Sequence, residues 1–331
     1  MDLYWAGALE QVRDESVRRL DDGGLPVLAE RRLAALFGSG AGHFTTHQPA
    51  AEFALTRSVG LRPITQVMGA CVYHARVALG NFGVEPDARR GKAYRLPGPA
   101  EPWNDGRERA LARMMAEARL CGADAVVGVS IRQTQQPMSG QYDASVETVA
   151  TGTAVARNGH TAGPPGPILT SLSAPDYWKL LQLGHVAVGL VASTTVCGSK
   201  PSGETIEMMR STRRSDARRW TREIPEFSGV LRLAHRIAFR DMHGMAEQMG
   251  ASGIVGVTID RHQYAIVPKG AHYRQLIVVV HALGTAIAGS GTPPASGSPL
   301  AFAGGGTPSA SGSPLAFTPV RHLDDKDRPS P

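Results

Sequence analysis

The stretch Gly122-Ala123-Asp124-Ala125-Val126-Val127-Gly128-Val129-Ser130-Ile131 returns 128 positions later as Gly250-Ala251-Ser252-Gly253-Ile254-Val255-Gly256-Val257-Thr258-Ile259. A duplication of this kind limits the fold to two like units joined in tandem. The match extends upstream at the same shift through Ala110/Ala238, Met114/Met242 and Ala118/Ala246. Downstream, Gly152-Thr153-Ala154 recurs as Gly284-Thr285-Ala286, now shifted by 132, so the intervening loops differ by four residues. A chain of 331 residues accommodates two such units and their flanking segments, since a domain commonly runs to about 100–150 residues.

The shared residues read as packing positions. Ala110, Met114, Ala118 and Gly122 recur every fourth residue, which places them on one helical face with mostly small side chains for a close approach to a sheet. Gly122 and Gly250 stand where that helix must end, and glycine adopts the left-handed capping conformation with little steric cost. Val127, Val129 and Ile131, like Val255, Val257 and Ile259, are expected to form one face of a following strand. Gly128 and Gly256 leave room there for a close neighbour.

At these residues the sequence resembles the YbjQ-like family, a group described by heavy-metal binding, whose signature is a helix entering a Gly-Ala-(Asp/Asn)-Ala-Val-Val-Gly-Val strand and a last strand ending in Gly-Thr-Ala-Val. Gly122–Val129 and Gly152–Val155 match it; the second copy departs at Ser252, Gly253, Ile254 and Ile287. Gln66–His74 is similar to the family's first strand, and Leu181–Val188 is placed as its counterpart, with Gly69 and Gly184 each eleven residues past a serine, Ser58 and Ser173. The resemblance implies an α+β fold of the dodecin-like type, a helix packed on an antiparallel sheet in each of two tandem repeats. It also implies homo-oligomers, since the family's single-domain members form pentameric rings; for two repeats per chain the expectation is a pentameric or pseudo-decameric ring.

The expected organisation is an N-terminal pair of amphipathic helices over 1–45, repeat one over 46–157, a linker over 158–167, repeat two over 168–288, and a disordered Gly/Ser/Pro-rich tail over 289–331. The N-terminal helices carry Ala8, Leu9, Val12, Val17 and Leu20, then Leu28, Ala29, Leu33 and Leu36 after Pro26, with a stop at Gly38. In repeat one the helix is expected to start at an Asp105–Glu108 capping pattern. The apolar run Tyr177–Cys197 carries Lys179, Gln182 and His185 and reads as a buried strand instead of a membrane span. The three cysteines, Cys71, Cys121 and Cys197, are too scattered for a disulfide framework. With no secretory signal in the opening residues, the expected compartment is the cytoplasm.

Three kinds of chemistry are open to these residues. A divalent or soft metal ion would want thiolate and imidazole donors, for which Cys71, His74, His185 and His243 are the candidates. Cys71 and His74, three apart on a strand, face opposite ways unless a bend intervenes. Arg210, Arg213, Arg214, Arg218, Arg219 and Arg222 around Trp220 suit phosphate or an acidic protein partner, in a chain of net charge +6. Asp216, Glu223 and Glu226 interleave with them and no base-reading motif is present, so nucleic acid ranks third. The tail writes Ser-Gly-Ser-Pro-Leu-Ala-Phe twice, fifteen residues apart, and Leu300, Phe302, Leu315 and Phe317 would serve as paired docking anchors for a protein partner. No nucleophile elbow, His-Glu-x-x-His or dinucleotide-binding pattern occurs, so the expected role is a non-enzymatic oligomeric scaffold or partner-binding protein, with a metal-binding module as the alternative.

Overall fold

A computed structural model describes residues 2–21, 23–38, 45–75, 91–137, 144–157, 166–211, 223–266 and 275–289. The N-terminal helices are α1 (Asp2–Asp21) and α2 (Val27–Gly38). Repeat one follows as α3 (Ala50–Ser58), β1 (Leu61–Ala75), β2 (Ala93–Arg95), α4 (Pro97–Leu120), β3 (Ala125–Pro137) and β4 (Ala144–Arg157). Next come β5 (Ile168–Leu169), α5 (Ala174–Gln182), β6 (His185–Ser199), α6 (Gly203–Ser211), α7 (Pro225–Gln248), β7 (Gly253–Ile266) and β8 (Gln275–Gly289). The fold is α+β: α4 packs on one antiparallel sheet and α7 on another.

The duplication is structural as well as textual. α4 and α7 are both 24 residues long and start at prolines 128 apart, and Gly122 and Gly250 end them at φ +64° and +70°. Ala110, Met114 and Ala118, with Ala238, Met242 and Ala246, are buried under the sheets as the four-residue spacing requires. Gly69 explains how close the first helix comes: a Cβ there would lie 1.9 Å from the carbonyl oxygen of Ala110 and 2.8 Å from the backbone nitrogen of Met114.

Four sequence expectations need correction. Tyr177–Cys197 is helix and then strand: Ser173 caps α5 by accepting from the backbone N–H of Asp176 at 3.2 Å, and β6 begins only at His185. Gly184 is therefore not the counterpart of Gly69. Pro63 pairs with Val155 and Ala187 with Ile287, so β6 follows β1 by 124 positions; Gly184 matches Gly60 (φ +74° and +81°), and Gly69 matches Ser193. Asp105 lies inside α4, which starts at Pro97 with Leu96 as N-cap, because proline at the first helical position has φ already set and needs no donor. Finally, Val127, Val129 and Ile131 do not share one face. The β3–β4 register slips between Val127 and Ser130, and β7–β8 slips between Val255 and Thr258. Gly128 and Gly256 sit in these bulges at φ +62° and +61°, and the inserted residue reverses the alternation. Val126 and Val129 consequently share the core beneath α4.

The sheets exchange strands. Sheet one has the order β1-β4-β3-β5 and sheet two β2-β6-β8-β7. β5, from the segment entering repeat two, runs parallel to β3 of repeat one, while β2, from repeat one, pairs antiparallel with β6. Each sheet is thus completed by a strand from the other half of the chain.

The helix α2 is pinned to repeat one by a buried carboxylate. Glu117, 2% exposed, accepts from Arg32 Nη2 at 2.6 Å and from the Met68 backbone N–H at 2.9 Å. Glu117→Ala strands that N–H and leaves Arg32 with its 3.4 Å bond to the Gln66 carbonyl. Losing one partner of a buried ion pair costs about 3–5 kcal/mol; Arg32 is 39% exposed and water screens it, so the expected loss is about 2 kcal/mol, read from the urea midpoint at constant slope.

Candidate functional site

The junction between the repeats gathers the chemistry-bearing residues. The face of sheet two opposite α7 lies against repeat one, where Val196, Ile277 and Val279 pack with Leu96, Ala100 and Trp103. Trp103 is 3% exposed and its ring lies 4.9 Å from that of His281. Arg95 reaches Asp241 at 3.1 Å across the same boundary.

A buried polar cluster closes the junction. Arg107 Nη1 donates to Asn104 Oδ1 at 2.7 Å and to Thr194 Oγ1 at 3.2 Å. Thr194 Oγ1 is 3.2 Å from Gln133 Oε1 and 3.0 Å from His281 Nδ1. A hydroxyl has one proton to give, and Gln133 Oε1 can only accept, so Thr194 donates to Gln133 and takes its second bond from His281 Nδ1–H. That assignment leaves His281 Nε2 without a proton, and it has no partner among the described residues. Burial, with His262 and Arg107 nearby, pushes His281 down to about 3, so the ring is neutral. Desolvation also lowers Arg107 to about 10, which leaves it a cation. Gln133 Nε2 ties the cluster to the Trp103 carbonyl at 2.8 Å. A cavity of about 120 Å3 adjoins these groups, with Ser193, Thr258 and Asp260 also on its wall. Every bond of the Thr194 hydroxyl is taken, so the cluster holds two repeats in register and offers no free nucleophile.

A second polar motif recurs in both repeats. Thr46 and Thr153 hydroxyls lie 3.0 Å apart, as do those of Thr170 and Thr285. Thr46 also accepts from the Gln48 N–H at 3.1 Å, and Thr170 from the Leu172 N–H at 3.1 Å. Residues 45–48 and 169–172 are therefore equivalent lead-ins to α3 and α5. The later one has an additional role. Its Thr170 N–H donates to Val126 O at 3.0 Å, and its Thr170 and Leu172 carbonyls accept from Val129 N at 3.0 Å and Gly128 N at 2.7 Å, sealing the edge of β3.

The metal candidates are not brought together. Cys71 is 7% exposed, and its register on β1 is continuous with that of exposed His74, so the bend needed to put both on one face is absent. His185 opens β6 and His243 lies exposed on α7. Among the described residues no three His, Cys, Asp or Glu side chains are grouped to hold a metal ion. Burial raises the Cys121 and Cys197 thiols to about 11 and about 12, which keeps them protonated and poor ligands. Arg210 lies in α6, while Arg213, Arg214, Arg218, Arg219, Trp220 and Arg222 fall outside the described residues, as do Leu300, Phe302, Leu315 and Phe317. No described helix is long and apolar enough to cross a membrane.

The residues that build the junction escaped sequence reasoning. Trp103 and His281 are far apart in the chain, and only the fold brings them together. Their signal lay in departures from the repeat: at the shifted positions Arg107 becomes His235, Thr194 corresponds to Ala70, and His281 to Val149.

Comparison with known proteins agrees with the architecture. A family model described as "Putative heavy-metal-binding" (YbjQ_1) matches residues 95–158 and 184–289, the two copies seen in the fold. An encapsulin nanocompartment protein of Mycobacterium tuberculosis is 31% identical over 253 residues, covering 75% of this chain and 87% of the relative. Two matches to one family model, coincident with two helix–stop–strand units of equal helix length and matching bulge, leave one conclusion: the chain belongs to the YbjQ-like family.

Proposed function

We propose that this chain is a non-enzymatic scaffold protein of the cytoplasm whose copies assemble with one another into a closed, ring-like particle. The observation that carries the reading is the unequal finish of the two sheets. β3 is capped by residues 168–172, whereas β7 ends its sheet with no strand beyond it among the described residues. An uncapped edge presents backbone donors and acceptors to whatever strand arrives, and a chain that completes one sheet by strand exchange has the parts to complete the other in the same way. The relative's designation as an encapsulin nanocompartment protein supports a role in assembly. The twice-written tail motif around Leu300, Phe302, Leu315 and Phe317 is the segment we assign to capture of a protein partner, with avidity from its two copies.

Light scattering on untagged protein at micromolar concentration tests the reading. The expected mass is an integral multiple, greater than one, of the 35.1 kDa chain; a monomer throughout that range would sink it.

A further inference from the structure

The two repeats bury different faces against each other, and each leaves exposed the face that its counterpart hides. On β6, Ala192 and Val196 are 6% and 1% exposed against repeat one; their equivalents on β1, Met68 and Val72, are 41% and 67% exposed. On β3, Val129 is 3% exposed and Ile131 is partly buried, against the cluster on which Leu190 of β6 packs from repeat two; their equivalents on β7, Val257 and Ile259, are 37% and 42% exposed. Four of the large apolar side chains left in water are thus the unmatched halves of one interface. A contact between unlike faces generates a series, because each added unit presents again the face it has just covered.

We infer that copies of this chain join head to tail, repeat two of one copy receiving repeat one of the next as repeat one receives repeat two within the chain. The inference rests on the assembly reading above and names its surfaces. Val257 and Ile259 on β7 meet Met68 and Val72 on β1 of the neighbouring copy. The open edge of β7 takes residues 45–48 of that neighbour, which match 169–172 in their hydroxyl bonding. By that equivalence the Thr46 N–H donates to Ile254 O, while Val257 N and Gly256 N donate to the Thr46 and Gln48 carbonyls. Gly256 shares the positive φ of Gly128, so the bulge that aims the Gly128 N–H at Leu172 is already formed at the open edge. The buried Arg107–Thr194–His281 cluster has no equivalent at the new joint, where the corresponding residues are His235, Ala70 and Val149. The joint between copies is therefore the more separable of the two.

The same edge has one competitor within the chain. Pro299-Leu300-Ala301 stands 132 residues after Pro167-Ile168-Leu169, which makes the tail a rival for the edge of β7. The second copy is the better fit because it supplies both the edge strand and an apolar face for Val257 and Ile259.

The test uses full-length chains. One variant carries Val257→Arg with Ile259→Arg, the other Met68→Arg with Val72→Arg; all four side chains are exposed, so both variants are expected to melt as the parent does. Each alone is expected to scatter as a monomer, and an equimolar mixture as a dimer with one intact joint. Variants that retain the parent's oligomeric mass would overturn the head-to-tail inference while leaving assembly in place, as would a mixture that stays monomeric. A parent that is itself monomeric removes the assembly reading instead. Leu300→Asp with Phe302→Asp is expected to leave the mass unchanged; dispersal by that change, with the face variants still assembled, would assign the edge to the tail.

Discussion

Replacing Gly69 by alanine is expected to destabilise repeat one by about 3 kcal/mol or more, at the upper end of what overpacking costs. The reason is the 1.9 Å that would separate the new Cβ from the Ala110 carbonyl oxygen. Both clashing groups are helix backbone, so no side chain can swing away, and α4 must lift from β1 along its length. A loss of this size is a large fraction of the roughly 5–15 kcal/mol that holds a typical domain folded. The internal control is Ser193, the equivalent residue in repeat two, which carries a side chain at the matching place and is buried without difficulty. Ser193→Gly is expected to cost under about 1 kcal/mol, the backbone-entropy price of glycine in a strand. Urea unfolding followed by far-UV circular dichroism checks the pair. Equal effects at the two positions would mean that the close helix–sheet approach is not what Gly69 serves.

The second large effect is an acid sensitivity centred on His281. Its folded value is pushed down to about 3 from an ordinary 6.5, first by burial and then by the neighbouring His262 and Arg107, with Asp260 acting the other way. In the unfolded chain the ring takes up a proton below about pH 6.5, whereas in the folded chain it stays neutral until about pH 3. The unfolded state therefore binds more protons throughout that window, and stability falls as the pH falls. The contribution is fully present above pH 6.5. It declines by up to about 1.4 kcal/mol per pH unit below, amounting to about 2 kcal/mol by pH 5. His281→Gln, which can still donate to Thr194, is expected to flatten this part of the curve of urea midpoint against pH. Parallel acid loss in parent and variant would locate the sensitivity elsewhere.

The opposite behaviour of two histidine sets shows why the site was only half legible. Cys71 and His74 have types that suit metal chemistry, and their three-residue spacing on a strand already set them on opposite faces, a register the structure keeps without a bend. His281 attracted no notice in the sequence, since it and the cluster residues Thr194, Gln133 and Trp103 come from four different elements. Residue type is a local property, whereas a constellation requires the register of strands whose pairing depends on loops and on the other repeat.

A similar division runs through the fold. The helix–glycine–strand unit could be read directly because each decision is made within about ten residues. Four-residue spacing sets the buried face of α4, proline fixes the first helical φ at Pro97 and Pro225, and a residue without Cβ takes positive φ at Gly122 and Gly250. The bulges at Gly128 and Gly256 were visible only as glycines, because an inserted residue shows itself in the partner strand's register.

By itself, the amino-acid sequence determined that there are two units, what each is made of, and to which family they belong. The tertiary structure alone decided that the halves exchange β2 and β5, that Arg107, Thr194 and His281 lock them together, and that β7 is left with an open edge. Dihedral preference and apolar periodicity act between near neighbours and are written in order along the chain. Edge pairing is a competition among distant segments for the same hydrogen bonds, and its outcome depends on which of them the packed core brings within reach.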